Sequence, residues 1–327
     1  MHQAVGIIGS GYYVPERIVS NIDLENMLDT TDEWIWSRTG IRERRIAANN
    51  QVTSDLAVAA GQKALLDSGI EAGEIDLVIV ATMTPDMPFP ATACIIQKKL
   101  GLSKAVAFDL SAACSGFIYG VSVAQQYLQN GTYRTALVIG AEEMSRILDW
   151  KDRNTCVLFG DGAGAVVLQA GAKEREIISV HLGTDGSGCD LLKMTAGGSL
   201  LPASHETIDQ RLHFLQMNGK EIYKYAAKAM AESTIIALNK IGLSPRDIDI
   251  LIPHQANIRI LEGLAERLKY PLSNVYVNIS KYGNTSAASI PIALVEAEEA
   301  GMLKRDDIVL LTGFGAGFTW GTCVIKW

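Results

Sequence analysis

Apolar residues alternate along the chain between helical stretches and short runs that are typical of buried strands. Residues 54–67 show the apolar spacing of an amphipathic helix and precede the apolar run 77–80. Residues 222–240 show the same spacing and precede the apolar run 250–253. Helices that alternate with short apolar strands are typical of sheets covered on both faces, so we predict an α/β fold with mostly parallel strands.

These two stretches belong to an internal repeat. Gly69 and Gly242 are separated by 173 positions, and so are Asp76 and Asp249. The repeat predicts two similar halves, residues 1–172 and 173–327. It also suggests that Cys114 and Asn284, each at a strand-to-helix junction, occupy equivalent places in the two halves.

Cys114 is the candidate nucleophile. It lies where the strand-like run 106–110 gives way to a helical pattern through Ile118, Val121 and Leu128. The free N–H groups and positive end of a helix favour a thiolate, which is the reactive form of cysteine. The alternative is inert packing, because free cysteines are among the most buried residues.

His254 and Asn284 are candidate hydrogen-bond donors for the same site. His254 follows the buried run 250–253, where a charged imidazolium would be costly, so we expect a neutral imidazole. Ligands bind beyond the carboxyl ends of parallel strands, so Cys114, His254 and Asn284 could surround one ligand there. Two neutral donors stabilise a developing enolate. The alternatives are a hydrogen-bonded core histidine and a turn-forming asparagine after Gly283.

Composition narrows the class of protein. Hydrophobic residues make up 48% and charged residues 20% of the 327, which is typical of a globular enzyme. A net charge of −7 argues against nucleic-acid binding. The five cysteines show neither a Cys-x-x-Cys pair nor a zinc-site spacing, so we expect free thiols and no metal. Without a signal-like pattern in residues 1–6 or a long apolar run, we expect a cytoplasmic protein that does not associate with membranes.

The chain strongly resembles the β-ketoacyl-acyl carrier protein synthase III family, which are thiolase-fold condensing enzymes. The resemblance rests on DLSAACSGF (109–117), IPHQANIRI (252–260), KYGNTSAASIP (281–291), LFGDGAGAVVL (158–168), TDEWIWSRTGIRERRI (31–46) and GFGAGFTWG (313–321). It implies an α/β, thiolase-like, internally duplicated five-layer αβαβα architecture and a homodimer. It further implies an acyltransferase of fatty acid biosynthesis that needs no cofactor beyond its coenzyme A thioester substrate.

The resemblance also implies a mechanism. Cys114 accepts the acyl group of a short acyl-coenzyme A, and His254 and Asn284 stabilise the enolate that malonyl-acyl carrier protein forms on decarboxylation. The N–H of Cys114 and the loop 313–317, including Gly315 and Ala316, would hold the oxyanion. Family members commonly carry glycine where this chain has Ala316, which would be strained if the position required a positive φ.

Further site residues follow from the resemblance. Trp34 and Arg153 resemble an adenine-stacking pair, and Arg38 is placed to meet coenzyme A phosphates. Alternatively, Arg38 and the arginines at 42, 44 and 45 form a solvated basic surface. Asn257 is expected at the pantetheine arm or a nearby water. Phe89 matches a phenylalanine that the dimer partner lends to the acyl pocket.

A basic face is the candidate docking site for the acidic carrier protein. Lys220, Lys224 and Lys228 recur every four residues and so share one helix face, near which Arg259 and Arg267 could lie. We expect Lys224 and Arg259 to dock the carrier, although such runs are often merely solvated. The glycine-rich segment 160–165 lacks the spacing and the lysine of a phosphate loop, so we expect close packing there.

Other functions stay open. A polyketide starter synthase would share the fold and the mechanism. A hydroxymethylglutaryl-type synthase needs a glutamate acid–base, for which the sequence offers no clear candidate. A papain-like hydrolase has the same Cys, His, Asn order but a different signature around its cysteine. A non-catalytic acyl-coenzyme A binding protein would not need the three residues together. The sequence leaves open whether the starter is acetyl, branched or longer.

Overall fold

The computed structural model describes residues 3–327, so Met1 and His2, which begin the segment without a signal-like pattern, lie outside it. The strands are β1 (Val5–Tyr13), β2 (Ile18–Ser20), β3 (Glu43–Arg45), β4 (Leu77–Ala81), β5 (Val106–Leu110), β6 (Thr135–Glu142), β7 (Gly162–Ala170), β8 (Glu176–Thr184), β9 (Leu192–Met194), β10 (Leu215–Met217), β11 (Ile250–Pro253), β12 (Ile308–Gly315) and β13 (Thr319–Lys326). The α-helices are α1 (Asn21–Glu25), α2 (Asp32–Thr39), α3 (Thr53–Ser68), α4 (Thr92–Lys99), α5 (Gly116–Gln129), α6 (His205–Asp209), α7 (Gly219–Asn239), α8 (Ile258–Leu268), α9 (Ile279–Tyr282) and α10 (Ser289–Glu299).

The large sheet contains the same strand order twice. Its order is β11-β12-β13-β8-β1-β7-β6-β4-β5, and β1 and β8 join the two parts. The first half runs β5-β4-β6-β7-β1, and the second runs β11-β12-β13-β8 with a bridge from Leu251 to Val275 in the place of β5. The predicted internal duplication is therefore confirmed. The predicted boundary at residue 172 falls in the turn between β7 and β8 and stays a prediction.

Three hydrophobic cores hold the helices and the two half-sheets together in five layers. One core packs α3 and α4 on the outer face of the first half-sheet, and another packs α7 and α8 on the outer face of the second. The third core lies between the two half-sheets and contains α5 and α10. The strands alternate accordingly: Leu77 and Ile79 face the middle core, whereas Val78 and Val80 face the outer one. This order is the αβαβα arrangement that we expected.

The expectation of mostly parallel strands is wrong. β4 runs parallel to β5 and β6, and β11 runs parallel to β12. The pairs β6–β7, β7–β1, β12–β13 and β13–β8 are antiparallel. A parallel pair needs a crossover, whereas β12 reaches β13 through the short turn 316–318. The apolar pattern of these strands reports that both faces are buried, and it does not report their direction.

The predicted pairing of Cys114 with Asn284 across the halves is also wrong in register. Ala113 and Ser286 have nearly the same positive φ, 48° and 49°, and each opens a single 3₁₀ turn before a helix. They are separated by 173 positions, as are the two glycines that reveal the repeat. The counterpart of Cys114 is thus Ala287, and Asn284 precedes the turn. A few loop insertions had obscured this register in the sequence.

Candidate active site

Cys114, His254 and Asn284 line one pocket between the two halves. The pocket is partly open to solvent. The three side chains come from the turn before α5, the end of β11 and the segment before α10. Its apolar lining includes Leu158, Leu192, Met217, Ile222, Phe314 and Phe318. A concave, mostly apolar pocket with a few converging polar groups suits a small-molecule site.

The structure corrects the expected ionisation of Cys114. The residue is 4% exposed and sits in the 3₁₀ turn that leads into α5. Burial raises the pKa of the thiol to about 12, while the Ser286 hydroxyl acts against this rise. The helix terminus therefore does not produce a resting thiolate, because the cost of burying the charge outweighs it. The proton must leave the sulfur when the nucleophile reacts.

Gly315 leaves the N–H of Cys114 accessible. A Cβ on Gly315 would lie 2.6 Å from the nitrogen of Cys114 and 2.9 Å from the Cβ of Ala113. The Thr319 hydroxyl holds this arrangement, since it donates to the carbonyl of Ala112 over 2.9 Å. Ala316 does not have a positive φ, whereas the next residue, Gly317, has φ 132°. The strain that alanine could cause at position 316 is therefore absent.

His254 is held as a neutral imidazole. It is 2% exposed, and burial lowers its pKa to about 3. Its Nδ1 lies 2.6 Å from the Ser289 hydroxyl, which also accepts the N–H of Gln255 over 3.4 Å. Within residues 3–327 the Ser289 hydroxyl has no other acceptor for its proton, so donation to Nδ1 is favoured, and with it the tautomer that carries the hydrogen on Nε2. This leaves Nε2 as a donor.

Asn284 is oriented by its own backbone neighbours. Its side-chain Oδ1 accepts the N–H of Ser286 over 2.8 Å, so its Nδ2 is left to donate. Its main-chain N–H donates to the carbonyl of Leu158 over 2.8 Å, and its carbonyl accepts from Gly160. The preceding Gly283 has φ 62°, and a Cβ there would lie 2.8 Å from the Leu158 carbonyl. Glycine is thus needed to bring Asn284 to the pocket.

Glu142 is a residue that the sequence analysis missed. It ends β6, is fully buried and accepts the Ser286 hydroxyl over 3.0 Å. Burial raises the pKa of its carboxyl to about 7. The expectation that the chain lacks a glutamate suited to acid–base chemistry is therefore wrong. The signal was available, since Glu142 and Glu143 directly follow an apolar strand at the edge where Cys114 also lies.

Trp34, Arg38 and Arg153 form one cluster beside the pocket. The guanidinium carbons of Arg38 and Arg153 lie 5.2 and 5.3 Å from the centre of the Trp34 ring. Asn257, which lines the pocket, donates from Nδ2 to the carbonyl of Arg38 over 3.0 Å. Its Oδ1 caps α8 by accepting the N–H of Arg259 over 2.9 Å. The amide of Asn257 is thus partly engaged in joining α2 to α8.

The remaining predicted site residues do not line the pocket. Phe89 is 83% exposed. Lys224 forms an ion pair with Glu221 at 2.7 Å on the exposed face of α7. Arg259 donates to the carbonyl of Ser37 over 3.0 Å.

The glycine-rich segment and its neighbourhood are closely packed. A Cβ on Gly160 would lie 2.4 Å from the carbonyl of Tyr282, and one on Gly164 would lie 2.7 Å from Pro291. Arg44 is fully buried and donates to the carbonyls of Val19 and Val157. Close packing is confirmed for this segment, and the alternative of a solvated arginine surface is wrong for Arg44.

All five cysteines are free thiols. Within residues 3–327, no group of histidine, cysteine and acidic residues is arranged to hold a metal ion. In the same range, no helix is both long and apolar enough to cross a membrane.

Comparisons with known proteins give a consistent picture. The family model described as 3-oxoacyl-[acyl-carrier-protein (ACP)] synthase III matches residues 108–186, and the model of its C-terminal part matches residues 238–327. The beta-ketoacyl-[acyl-carrier-protein] synthase III of Caldanaerobacter subterraneus subsp. tengcongensis is 56% identical over 324 residues, which cover 99% of this chain and 98% of the relative.

Solved structures agree with the sequence relatives. The synthase III of Thermus thermophilus has 46% sequence identity and a TM-score of 0.92, covering 98% of this chain and 99% of that one. The priming beta-ketosynthase of the R1128 polyketide biosynthetic pathway has 35% identity and a TM-score of 0.91, covering 99% and 96%. The thiolase-like fold that the sequence predicted is therefore confirmed.

Proposed function

Because the chain belongs to the β-ketoacyl-[acyl-carrier-protein] synthase III family, we propose that it condenses a short acyl-coenzyme A with malonyl-acyl carrier protein through an acyl-Cys114 intermediate. This reaction would start fatty acid synthesis, and the enzyme would be an acyltransferase. The observation that carries the proposal is the single pocket lined by Cys114, His254 and Asn284. A nucleophile and two neutral donors are the groups that this chemistry requires.

In the first half-reaction, the sulfur of Cys114 attacks the thioester carbonyl. The carbonyl oxygen becomes an oxyanion, for which the N–H of Cys114, left uncovered by Gly315, is a suitable donor. The tetrahedral intermediate expels the coenzyme A thiolate, which takes a proton from solvent. The acyl group remains on Cys114.

In the second half-reaction, malonyl-acyl carrier protein loses carbon dioxide to give an enolate. The Nε2–H of His254 and the Nδ2–H of Asn284 donate to the enolate oxygen. Both groups are neutral, so the pocket holds no fixed positive charge that would stabilise the malonyl carboxylate before it leaves. The enolate carbon then attacks acyl-Cys114, and the β-ketoacyl product forms as the sulfur departs.

Substrate binding follows from the surroundings of the pocket. We assign the adenine to the Trp34 and Arg153 cluster, the phosphates to Arg38 and the pantetheine arm to the side of Asn257. The residues of the chain supply all of this chemistry, so we propose that no cofactor is needed besides the coenzyme A thioester substrate. A cytoplasmic location fits free thiols and a substrate of this kind.

We also propose a homodimer. β5 lies at the edge of the large sheet, and its first residue, Val106, is 47% exposed. An edge strand presents unpaired N–H and C=O groups that can pair with another chain. Phe89 is 83% exposed in the single chain, which suits a side chain lent to the pocket of a partner.

Lys224 and Arg259 are our candidates for docking the carrier protein. Reversal of both charges should raise the KM for malonyl-acyl carrier protein and leave acylation by acyl-coenzyme A unchanged. Lys304→Glu, an exposed position between α10 and β12, is the control. An unchanged KM in the double variant would remove this assignment.

A polyketide starter synthase is the second candidate, supported by the likeness to the R1128 priming ketosynthase. The first candidate is preferred because the identity to the relatives named synthase III reaches 56%, against 35% for the priming enzyme. Both share the chemistry of Cys114, and the starter group separates them.

The test is intact-mass measurement after the protein is mixed with acetyl-, propionyl-, isobutyryl- and isovaleryl-coenzyme A in competition. We expect one acyl adduct to dominate and Cys114→Ala to carry none. An adduct that persists on Cys114→Ala would overturn the assignment of the nucleophile. No adduct on the wild-type protein would overturn the proposed function.

A further inference from the structure

Glu142 is a buried carboxyl without a counter-charge. It accepts hydrogen bonds from the N–H groups of Met83 and Thr84 and from the hydroxyls of Thr82, Thr84 and Ser286. Each of these donors is neutral. A buried charge that only neutral groups stabilise is costly. The half-reactions described above do not use this carboxyl.

Ser286 connects Glu142 to the nucleophile. Its hydroxyl donates to Oε1 of Glu142 over 3.0 Å, and its interaction with the Cys114 thiol lowers the pKa of that thiol. The turns that carry Cys114 and Ser286 pack against each other where the two halves meet. The N–H of Ser286 donates to Oδ1 of Asn284, which fixes the serine in place. Ser286 thus lies between the turn that carries the thiol and the buried carboxyl.

The thiol needs a proton acceptor. Burial raises the pKa of the Cys114 thiol to about 12, so water at neutral pH is a poor base for it. His254 is bound through Nδ1 to Ser289 and is committed to its role as a donor. Burial raises the pKa of Glu142 to about 7, which is well placed for an acid–base group at neutral pH.

We propose that Glu142 accepts the proton of Cys114 through the Ser286 hydroxyl during acylation, an inference that rests on the proposed function. The S–H proton passes to Oγ of Ser286 as the hydroxyl proton of Ser286 passes to the Glu142 carboxylate. The sulfur forms its bond to the acyl carbon, and the coenzyme A thiolate leaves and is protonated by solvent. Glu142 is then neutral.

The second half-reaction reverses the relay. When the enolate carbon has bonded to the acyl carbon, the bond to sulfur breaks and the thiolate of Cys114 is released. Ser286 returns the proton from Glu142 to this sulfur. The carboxylate and the thiol are restored, and the cycle consumes one proton from solvent, the one taken by coenzyme A.

Few other ionisable groups bear on the carboxyl. Its neighbour Glu143 pairs instead with Arg146 at 2.6 Å. Thr82, Met83 and Thr84, which bind Glu142 from the end of β4, carry no charge. Cys114 is the ionisable group that faces it through Ser286. The pH dependence of the acylation rate therefore reports on Glu142 and Cys114.

The test measures the rate of Cys114 acylation in single turnover, by quenching and intact mass, from pH 5.5 to 9. In the wild-type protein, the rate should rise with pH through about 7, because the acceptor is the ionised carboxylate. Glu142→Gln should lower the rate about 100-fold at pH 7.5 and remove that rise. Glu143→Gln, which removes the adjacent carboxylate, is the matched control. It should keep the wild-type rate at pH 7.5 and the rise of the rate with pH.

Ser286→Ala provides the second variant, in case Glu142→Gln fails to fold. It should lower the acylation rate by a similar factor. The double variant should acylate no more slowly than either single variant, because both substitutions interrupt the same relay. Thermal melts of each variant establish that it is folded. A folded Glu142→Gln protein with the wild-type rate and pH profile, or losses that simply multiply in the double variant, would overturn the relay. A wild-type protein that forms no acyl adduct would overturn the proposed function and the relay with it.

Discussion

Gly315→Ala tests whether the N–H of Cys114 holds the oxyanion. The added Cβ would lie 2.6 Å from that nitrogen, closer than real Cβ contacts, so it must cover the N–H or push it away. Loss of one oxyanion donor costs about 100- to 1,000-fold in rate, or about 2.7–4 kcal/mol. The overpacking should also destabilise the fold by about 1–3 kcal/mol.

The assay is single-turnover acylation of Cys114, followed by quenching and mass measurement, with a thermal melt for each protein. Gly73→Ala is the matched control, because no atom lies within 4 Å of a Cβ built there and its φ is not positive. It should acylate at the wild-type rate. A folded Gly315→Ala protein that acylates as fast as the wild type would refute the assignment of this donor.

Further outcomes follow from the same geometry. Ser289→Ala should slow decarboxylative condensation about tenfold and leave acylation of Cys114 unchanged. The reason is that Nδ1 of His254 loses its hydrogen-bond partner, so the imidazole no longer prefers the tautomer that donates from Nε2. Equal losses of rate in both steps would contradict this. Trp34→Ala should raise the KM for acyl-coenzyme A about tenfold and leave turnover of a truncated pantetheine thioester unaffected. Because burial lowers the pKa of His254 to about 3, the imidazole is neutral in the folded state, and only the unfolded state gains its proton below pH 6.5. As the pH falls from 6 to 4.5, the free energy of unfolding of the wild type should therefore fall more steeply than that of His254→Gln, by about 1 kcal/mol per pH unit. Denaturant unfolding of both proteins measures this difference.

The pattern of the sequence predicted the positions of helices and strands and led to the three residues that share one pocket, but it did not predict strand direction. The helices at 54–67 and 222–240 and the runs that follow them appear as α3, α7, β4 and β11, because amphipathic spacing reports directly on which face is buried. Cys114 and His254 each follow an apolar strand, β5 and β11, and strand ends at one edge of a sheet come together. Asn284 follows α9 and reaches the same pocket from there. Local pattern is enough for such predictions.

Other features depended on three-dimensional packing. The thiolate expected at Cys114 fails because burial, which no local motif reports, outweighs the effect of the helix terminus. Arg44 reads as one of several surface arginines, yet it is the central residue of β3 and its side chain lies in the core. Glu142 reads as one of two acidic residues at a strand end. Its role depends on Ser286, which lies 144 positions away in the chain.

A chase of the isolated acyl-enzyme tests the central claim most directly. The protein is acylated on Cys114, freed of coenzyme A, mixed with malonyl-acyl carrier protein and quenched at intervals for mass measurement of both proteins. Our account predicts that the acyl adduct disappears as one equivalent of β-ketoacyl-carrier protein appears. An adduct that persists, or that is lost to hydrolysis with no β-ketoacyl product on the carrier, would contradict it.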